Sequence, residues 1–280
     1  MESQYIAHLD VEQLIVRKFG KRKLPKIAIN IIRKILRQDD INALFFNAPG
    51  KKNIDFIDSC MMQLNFSCNV LGKENLPSAS DKKYIFVSNH PQGGAEAICI
   101  AHVLGHQYNG NIKFYANEFL TILEPLKDLF LPIYKHQRQN REGIRQIKEF
   151  YKTDNHLIVF PAGVTAYKSK GKIVDHKWHK NFIKVAIEHQ RDVVPLYFDA
   201  KNSNLFYRIE NFRKLIRSKL NFEVILFANE FFKQKGNAFN LYVGKPISWQ
   251  TFHKDKVHQE WADSIKTHVF DLPNQYNGQL

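Results

Sequence analysis

In the stretch KYIFVSNHPQGGAEA, residues 83–97, an apolar run leads into Ser88, Asn89 and His90. Pro91, a Gly93–Gly94 hinge and then Glu96, at the start of an expected helix, follow. An imidazole with a carboxylate nearby is the base-and-orienter half of a nucleophilic triad. The two glycines let the chain turn sharply, so Glu96 can fold back onto His90. Where the protein supplies no nucleophile, an alcohol carried by the substrate can take that place. By itself a lone histidine after a strand is more often structural, so this pair alone fixes no reaction.

A second stretch, HLIVFPAGVTAYKSKGK at residues 156–172, ends an apolar run at Phe160-Pro161. Gly163 permits a close approach to a ligand, and Lys168, Lys170 and Lys172 offer cations for a phosphate or carboxylate. Without other support these lysines read as a solvated basic hairpin. Two shorter pieces, LFLPIYK ending at Lys135 and Val194-Pro195-Leu196, are strands with a proline edge. His102 and His106 stand four apart on an expected helix, which is metal-ligand spacing. No Glu, Cys or third His nearby in the sequence completes a set, so no metal is assigned; His176 and His179 offer less. Phosphate-binding loops, dinucleotide fingerprints and zinc spacings are missing.

The elements that must carry these residues alternate. NFSCNVLG, KYIFVS, NIKFYAN, FLPIY, HLIVF, VVPLYF, FEVILF and AFNLYV read as strands. AEAICIAHVLG, REGIRQIKEFYKT, KWHKNFIKVAIEHQ and segments near 206–218 and 258–270 read as helices. That order predicts an α/β fold, a mixed and mostly parallel sheet flanked by helices. In such sheets ligand sites gather where strands end. Upstream, LPKIAINIIRKILRQ has a broad apolar face with Ile27, Ile31, Ile32 and Ile35. Lys26, Arg33, Lys34 and Arg37 fill the other face, and Pro25 suits the first turn. A loop around Asn47–Gly50 separates this helix from a second one over about 53–65. A boundary near residue 70 divides a helical region, 1–70, from an α/β domain, 71–280.

The chain has 280 residues, 41 Lys+Arg against 27 Asp+Glu, and 22 Phe. Core material is ample, which excludes disorder. Cys60, Cys68 and Cys99 form no CxxC pair and read as reduced thiols of an intracellular protein. The start, MESQYIAHLDVEQ, lacks the apolar stretch of a signal peptide, and no apolar run approaches the ~20 residues of a bilayer span. The formal charge of +14 implies an anionic partner. Nine basic residues and no acid lie between 17 and 37. Aromatics are not interleaved among them as in a nucleic-acid site, so nucleic acid is set aside. The basic amphipathic helix either lies on an anionic membrane or packs on the domain with a solvated face. At roughly 21 Å it is too short to cross ~30 Å of hydrocarbon.

Together and in order, NHPQGGAE, LPIYK, FPAG and VVP, within residues 88–196, resemble the blocks of the glycerolipid acyltransferases that include 1-acylglycerol-3-phosphate acyltransferases. Over roughly residues 50–270 the chain is still more similar to a bacteroidete-type subfamily labelled hemolysin-like or lysophospholipid acyltransferase. There NHP, FPAG, a helix like KWHKNFIKVAIE, RDVVP and a late GKPI recur. The resemblance implies transfer of a fatty acyl group from a thioester of acyl carrier protein or coenzyme A to the hydroxyl of a lyso-lipid. It implies no metal or other cofactor, and a peripheral enzyme on the cytoplasmic face of the inner membrane. His90 would be the base and Glu96 its orienter. Asn89, Gly93, Gly94, Lys135, Phe160, Pro161, Gly163 and Lys168 would bind substrate, with an amide near Gly93 or Gly163 for the oxyanion. Lys26, Arg33, Lys34 and Arg37 would dock on anionic lipid. Two departures stand out. Five residues, not four, separate His90 from the carboxylate, and Ala162 replaces the usual Glu of FPEG. The usual following Arg is missing too, which leaves the acceptor open between a lysophospholipid and a lyso-aminolipid. A thioesterase, or a non-catalytic membrane-surface protein of this fold, is the alternative.

Overall fold

A computed structural model describes residues 7–19, 25–78, 82–133, 141–215, 223–253 and 255–276. Four helices come first: α1 (Val11–Phe19), α2 (Lys26–Ile35), α3 (Gln38–Phe46) and α4 (Asn53–Leu64). Then come β1 (Ser67–Leu71), β2 (Tyr84–Ser88), α5 (Ala95–Gln107), β3 (Ile112–Asn117), β4 (Phe130–Ile133), α6 (Arg141–Tyr151) and β5 (His156–Val159). A hairpin of β6 (Tyr167–Ser169) and β7 (Lys172–Val174) leads to α7 (Asn181–Glu188) and β8 (Asp192–Asp199). The chain closes with α8 (Asn204–Leu215), α9 (Glu223–Phe232), β9 (Ala238–Val243) and α10 (His258–Gln275).

Seven strands form one sheet in the order β1-β9-β8-β2-β5-β3-β4. All neighbours are parallel except β8 and β9, so the sheet is mixed and mostly parallel, as the alternation of elements predicts. β2 is buried along its whole length. Its side chains alternate between two cores, because successive residues of a strand point to opposite faces. Phe86 joins Phe56, Ile57, Ile100, Leu104 and Phe198 on the side covered by α4 and α5. Ile85 and Val87 join Trp178, Phe182, Ile265 and Val269 on the side covered by α7 and α10. A strand with helices on both faces reads as a continuous apolar run, which is why YIFV was legible.

Two of the expected elements need correction. FEVILF is not a strand, because from Glu223 onward it belongs to α9. The continuation through Glu230 and Phe231 keeps helical spacing, and Glu230 is buried where it accepts hydrogen bonds from Ser203 N and Oγ. The helix after β7 starts at Asn181 rather than near Lys177. There Trp178 is fully buried, with its indole N–H donated to Asp175, and this holds the preceding residues outside the helix. α1 and α3 have no counterpart among the expected elements. The division drawn near residue 70 falls inside β1, which pairs with β9 from Ser67 to Leu71. Leu44, Phe45 and Phe56, all upstream, share the core of Phe86.

α2 has no buried residue, and Ile27 and Ile31 are 75% and 53% exposed. Lys26, Arg33 and Lys34 are exposed, with Arg33 3.9 Å from Asp39. Arg37 is not part of that face. It takes a left-handed conformation (φ 52°), pairs with Asp40 at 2.5 Å, donates to Asn229 of α9 at 3.4 Å and lies over the Phe232 ring. No described helix is long and apolar enough to cross a membrane.

Candidate active site

β2 and β5 are parallel, with Val87 opposite Val159, so the loops leaving them emerge at the same edge of the sheet. That register brings His90 beside Phe160: their rings stack with centroids 4.4 Å apart and planes 20° from parallel. Asn89, one residue earlier, is buried. Its carboxamide donates to Phe198 O at 3.0 Å and accepts from Phe198 N at 2.7 Å. It therefore ties the end of β2 to β8 and spends its polar atoms on backbone. Gln92 Nε2 donates to Lys201 O, and Asn202 Nδ2 to Pro91 O, so the loop after His90 is clamped to the segment after β8.

The extra residue between His90 and Glu96 is accommodated by the glycine hinge. Gly93 has φ +100°, a conformation that favours glycine, and a Cβ there would meet Thr165 Cγ2 at 3.0 Å. A Cβ on Gly94 would lie 3.0 Å from Phe231 of α9. The chain then enters α5, and Glu96 in its first turn reaches back so that Oε1 lies 2.9 Å from His90 Nδ1. The same oxygen accepts from Gly93 N at 2.6 Å and Gln92 N at 3.1 Å, and Oε2 accepts from Gly94 N at 3.1 Å. Burial raises the Glu96 pKa, but the hydrogen bonds from His90 and Gly93, with the His90 charge, outweigh it and hold the group below the usual carboxylate range.

An ionised carboxylate only accepts, so the Nδ1 proton belongs on His90, which leaves Nε2 with a lone pair. The His90 side chain is 18% exposed and that of Glu96 fully buried. Such a pair can take a proton from a hydroxyl at Nε2 while the buried carboxylate stabilises the resulting imidazolium.

One contributor was invisible in the sequence. Asp175, buried and 85 residues downstream, accepts from His90 N at 3.3 Å and from Trp178 Nε1 at 3.0 Å. Burial pushes its pKa up, against the hydrogen bonds from Trp178 and the His90 amide. Lys266 of α10 donates to the carbonyls of Asp175 and His176, holding this support from behind. The remaining expected residues divide. Pro161 O accepts from His179 N, and Gly163 (φ +65°) closes a turn onto Phe160 O at 2.9 Å. Ala166 N donates to His90 O at 2.7 Å, locking the loop after β5 to the histidine. The Gly93 and Gly163 amides, expected near an oxyanion, are thus both committed to protein acceptors. Lys168 on β6 donates to Asn204 Oδ1 at 3.2 Å, and Lys135 lies outside the described residues. Ala162 is buried in the core that contains Val159 and Trp178.

The family described as Acyltransferase matches residues 17–278. A curated relative from Phocaeicola vulgatus, named lyso-glycine lipid O-acyltransferase, is 36% identical over 274 residues, 97% of this chain and 98% of its own. A second of the same name, from Bacteroides thetaiotaomicron, is 36% identical over 266 residues, 94% of this chain and 97% of its own. The crystal structure of the 1-acyl-sn-glycerophosphate (LPA) acyltransferase PlsC from Thermotoga maritima is 18% identical, covers 94% of this chain and 88% of that one, and has a TM-score of 0.47. Matched along nearly its whole length by both the family and its relatives, the chain belongs to the acyltransferase family.

Proposed function

We propose that this enzyme moves a fatty acyl group from an acyl thioester to the hydroxyl of a lyso-lipid, with a lyso-glycine lipid as acceptor. The observation that carries the reaction is the hydrogen bond between His90 Nδ1 and buried Glu96, at the open ends of two parallel strands. His90 Nε2 takes the acceptor's hydroxyl proton, and the oxygen attacks the thioester carbonyl. The C–S bond then breaks and the thiolate of coenzyme A or acyl carrier protein leaves, taking that proton from the imidazolium. What supports the acceptor is the name carried by both curated relatives and the apolar burial of Ala162, where a carboxylate would sit in the phosphate-using pattern.

The substrates are lipids, so the enzyme works at a membrane surface. We assign docking to the region before residue 70, through Lys26, Arg33 and Lys34 and the exposed Ile27 and Ile31 of α2. On this reading the protein is peripheral on the cytoplasmic face of the inner membrane, where acyl thioesters are made.

The test is acyl transfer by purified protein to a lyso-glycine lipid and to lysophosphatidic acid, with acyl-coenzyme A and acyl-carrier protein as donors and products read by mass spectrometry. Diacylated glycine lipid is expected, and His90→Ala should lower its formation about 100-fold to 10,000-fold. Free fatty acid as the sole product would make the enzyme a thioesterase. Wild-type rates in His90→Ala would remove the histidine from the chemistry.

A further inference from the structure

We propose a site for a divalent first-row transition ion between α4 and α5, built from Asp58, His102 and His106. It lies outside the acyl-transfer machinery. The sequence offers the two histidines one turn apart on α5, and the fold supplies the third donor from α4, 44 residues upstream of His102. Asp58 Oδ1 is 2.7 Å from His102 Nδ1, and Asp58 Oδ2 is 3.0 Å from His106 Nε2. One donor atom from each residue, all within 4.8 Å of one another, forms a converging N,N,O set.

The geometry suits a small ion. Zinc bonds to imidazole nitrogen and carboxylate oxygen are about 2.0–2.2 Å, so tetrahedral ligands stand about 3.4 Å apart. The N···O separations of 2.7 and 3.0 Å are tighter than that by about 0.7 and 0.4 Å, as in a cluster where protons occupy the place of the ion. Rotation of three side chains that are 33–57% exposed makes up the difference. The same exposure admits the ion and leaves a fourth position for water. Two imidazoles select against Mg²⁺ and Ca²⁺, which take oxygen ligands, and in favour of the zinc, cobalt and nickel class.

The backbone beneath is already set. Gly105, beside His106, lies so close to Ile54, one turn before Asp58, that a Cβ at 105 would meet Ile54 Cδ1 at 2.3 Å. α4 and α5 therefore cross at a fixed, short distance, and the three donors need no backbone movement to converge. A bound ion would fasten α4 to the second half of the helix whose first turn carries Glu96, about 9 Å further along its axis.

The full-length protein, purified without a histidine tag, is titrated with ZnCl₂ and with CoCl₂ by calorimetry and thermal melting. One ion per chain is expected, with a rise in Tm and, for cobalt, the strong visible absorption of a tetrahedral centre. Asp58→Ala and His102→Ala should each weaken zinc binding by at least about tenfold, that is ~1.4 kcal/mol. His102→Ala/His106→Ala should abolish the Tm rise, whereas His258→Ala and excess Mg²⁺ should change nothing. No zinc binding by the wild type, or equal binding by the double variant, would show that the three residues form only a hydrogen-bonded cluster.

Discussion

Replacing Glu96 by Asp, the acid of the histidine–aspartate motif that NHPQGGAE resembles, should damage the enzyme rather than leave it neutral. The chain has one residue more between the histidine and the acid than that motif, and the present geometry closes with a side chain one methylene longer. Withdrawing the carboxylate by one carbon–carbon bond moves it back about 1.5 Å. The 2.9 Å contact to His90 Nδ1 then opens to about 4.4 Å, beyond hydrogen-bond reach. The short bond from Gly93 N to the same oxygen is lost with it. A hydrogen bond to a charged group contributes about 1.5–3 kcal/mol. The imidazolium forms only on the way to the transition state, so its loss falls on kcat, by about 10-fold to 150-fold with little change in KM. Release of the donor's thiol, followed with a chromogenic thiol reagent against lyso-lipid concentration, separates the two. Thermal melting of the same sample checks that the buried acid has not simply unfolded the loop. Wild-type kcat in Glu96→Asp would refute the argument that side-chain length offsets the longer spacing.

The remaining predictions concern the pocket, the surface and the core. Ala162→Glu should lower activity on every acceptor, because a buried carboxylate without a partner is costly there. A tenfold gain on lysophosphatidic acid would mean that one residue sets acceptor choice. Changing Lys26, Arg33 and Lys34 to Glu should release the protein from anionic vesicles at low salt, since each basic residue near such a surface contributes ~1 kcal/mol. Unchanged co-sedimentation would assign docking elsewhere. His156 is held neutral: burial, then the charges of Arg191 and Lys83, lower its pKa to about 4, and its Nδ1 accepts from Tyr84 N. Below its ordinary value of about 6.5 the unfolded chain binds the proton first, so stability falls as pH drops from about 6.5 towards about 4. The loss should be about 2 kcal/mol between pH 7 and pH 5, read by urea unfolding. In His156→Leu that increment should vanish, and an unchanged pH dependence would show that other groups cause it.

What the residues disclosed depended on how local the cause was. β2 and β5 announce themselves as short apolar runs because both of their faces are covered. Glu96 could be paired with His90 because two glycines and a helix start lie between them. Asp175 gave no signal, since its link to His90 is an amide hydrogen bond across 85 residues, and a backbone amide carries no side-chain signature. Asn89 is a different case. The resemblance implies that it binds substrate, and in the fold its strand partner on β8 takes both ends of its amide. α9 reads as a strand because β-branched and aromatic residues begin it, and only the later Glu230 contacts show the helical period. Asp58 meets His102 and His106 only through the contact of α4 with α5, which no local spacing in the sequence encodes.

The pairing of β1 with β9 bears on how the molecule is made. Ser67 and Ala238 are register partners 171 residues apart. During synthesis β1 has no described sheet neighbour until the chain as far as Ala238 has followed it out of the ribosome. β2, β3, β4 and β5 can assemble first, but the edge of β8 waits for β9, and β9 arrives between α9 and α10. Contacts of such long range make folding slow and leave strand edges open to other nascent chains in the interval. A message truncated before codon 238 would therefore yield a product that contains His90, Glu96 and Asp175 and yet aggregates, with β1 unpaired and β8 exposed.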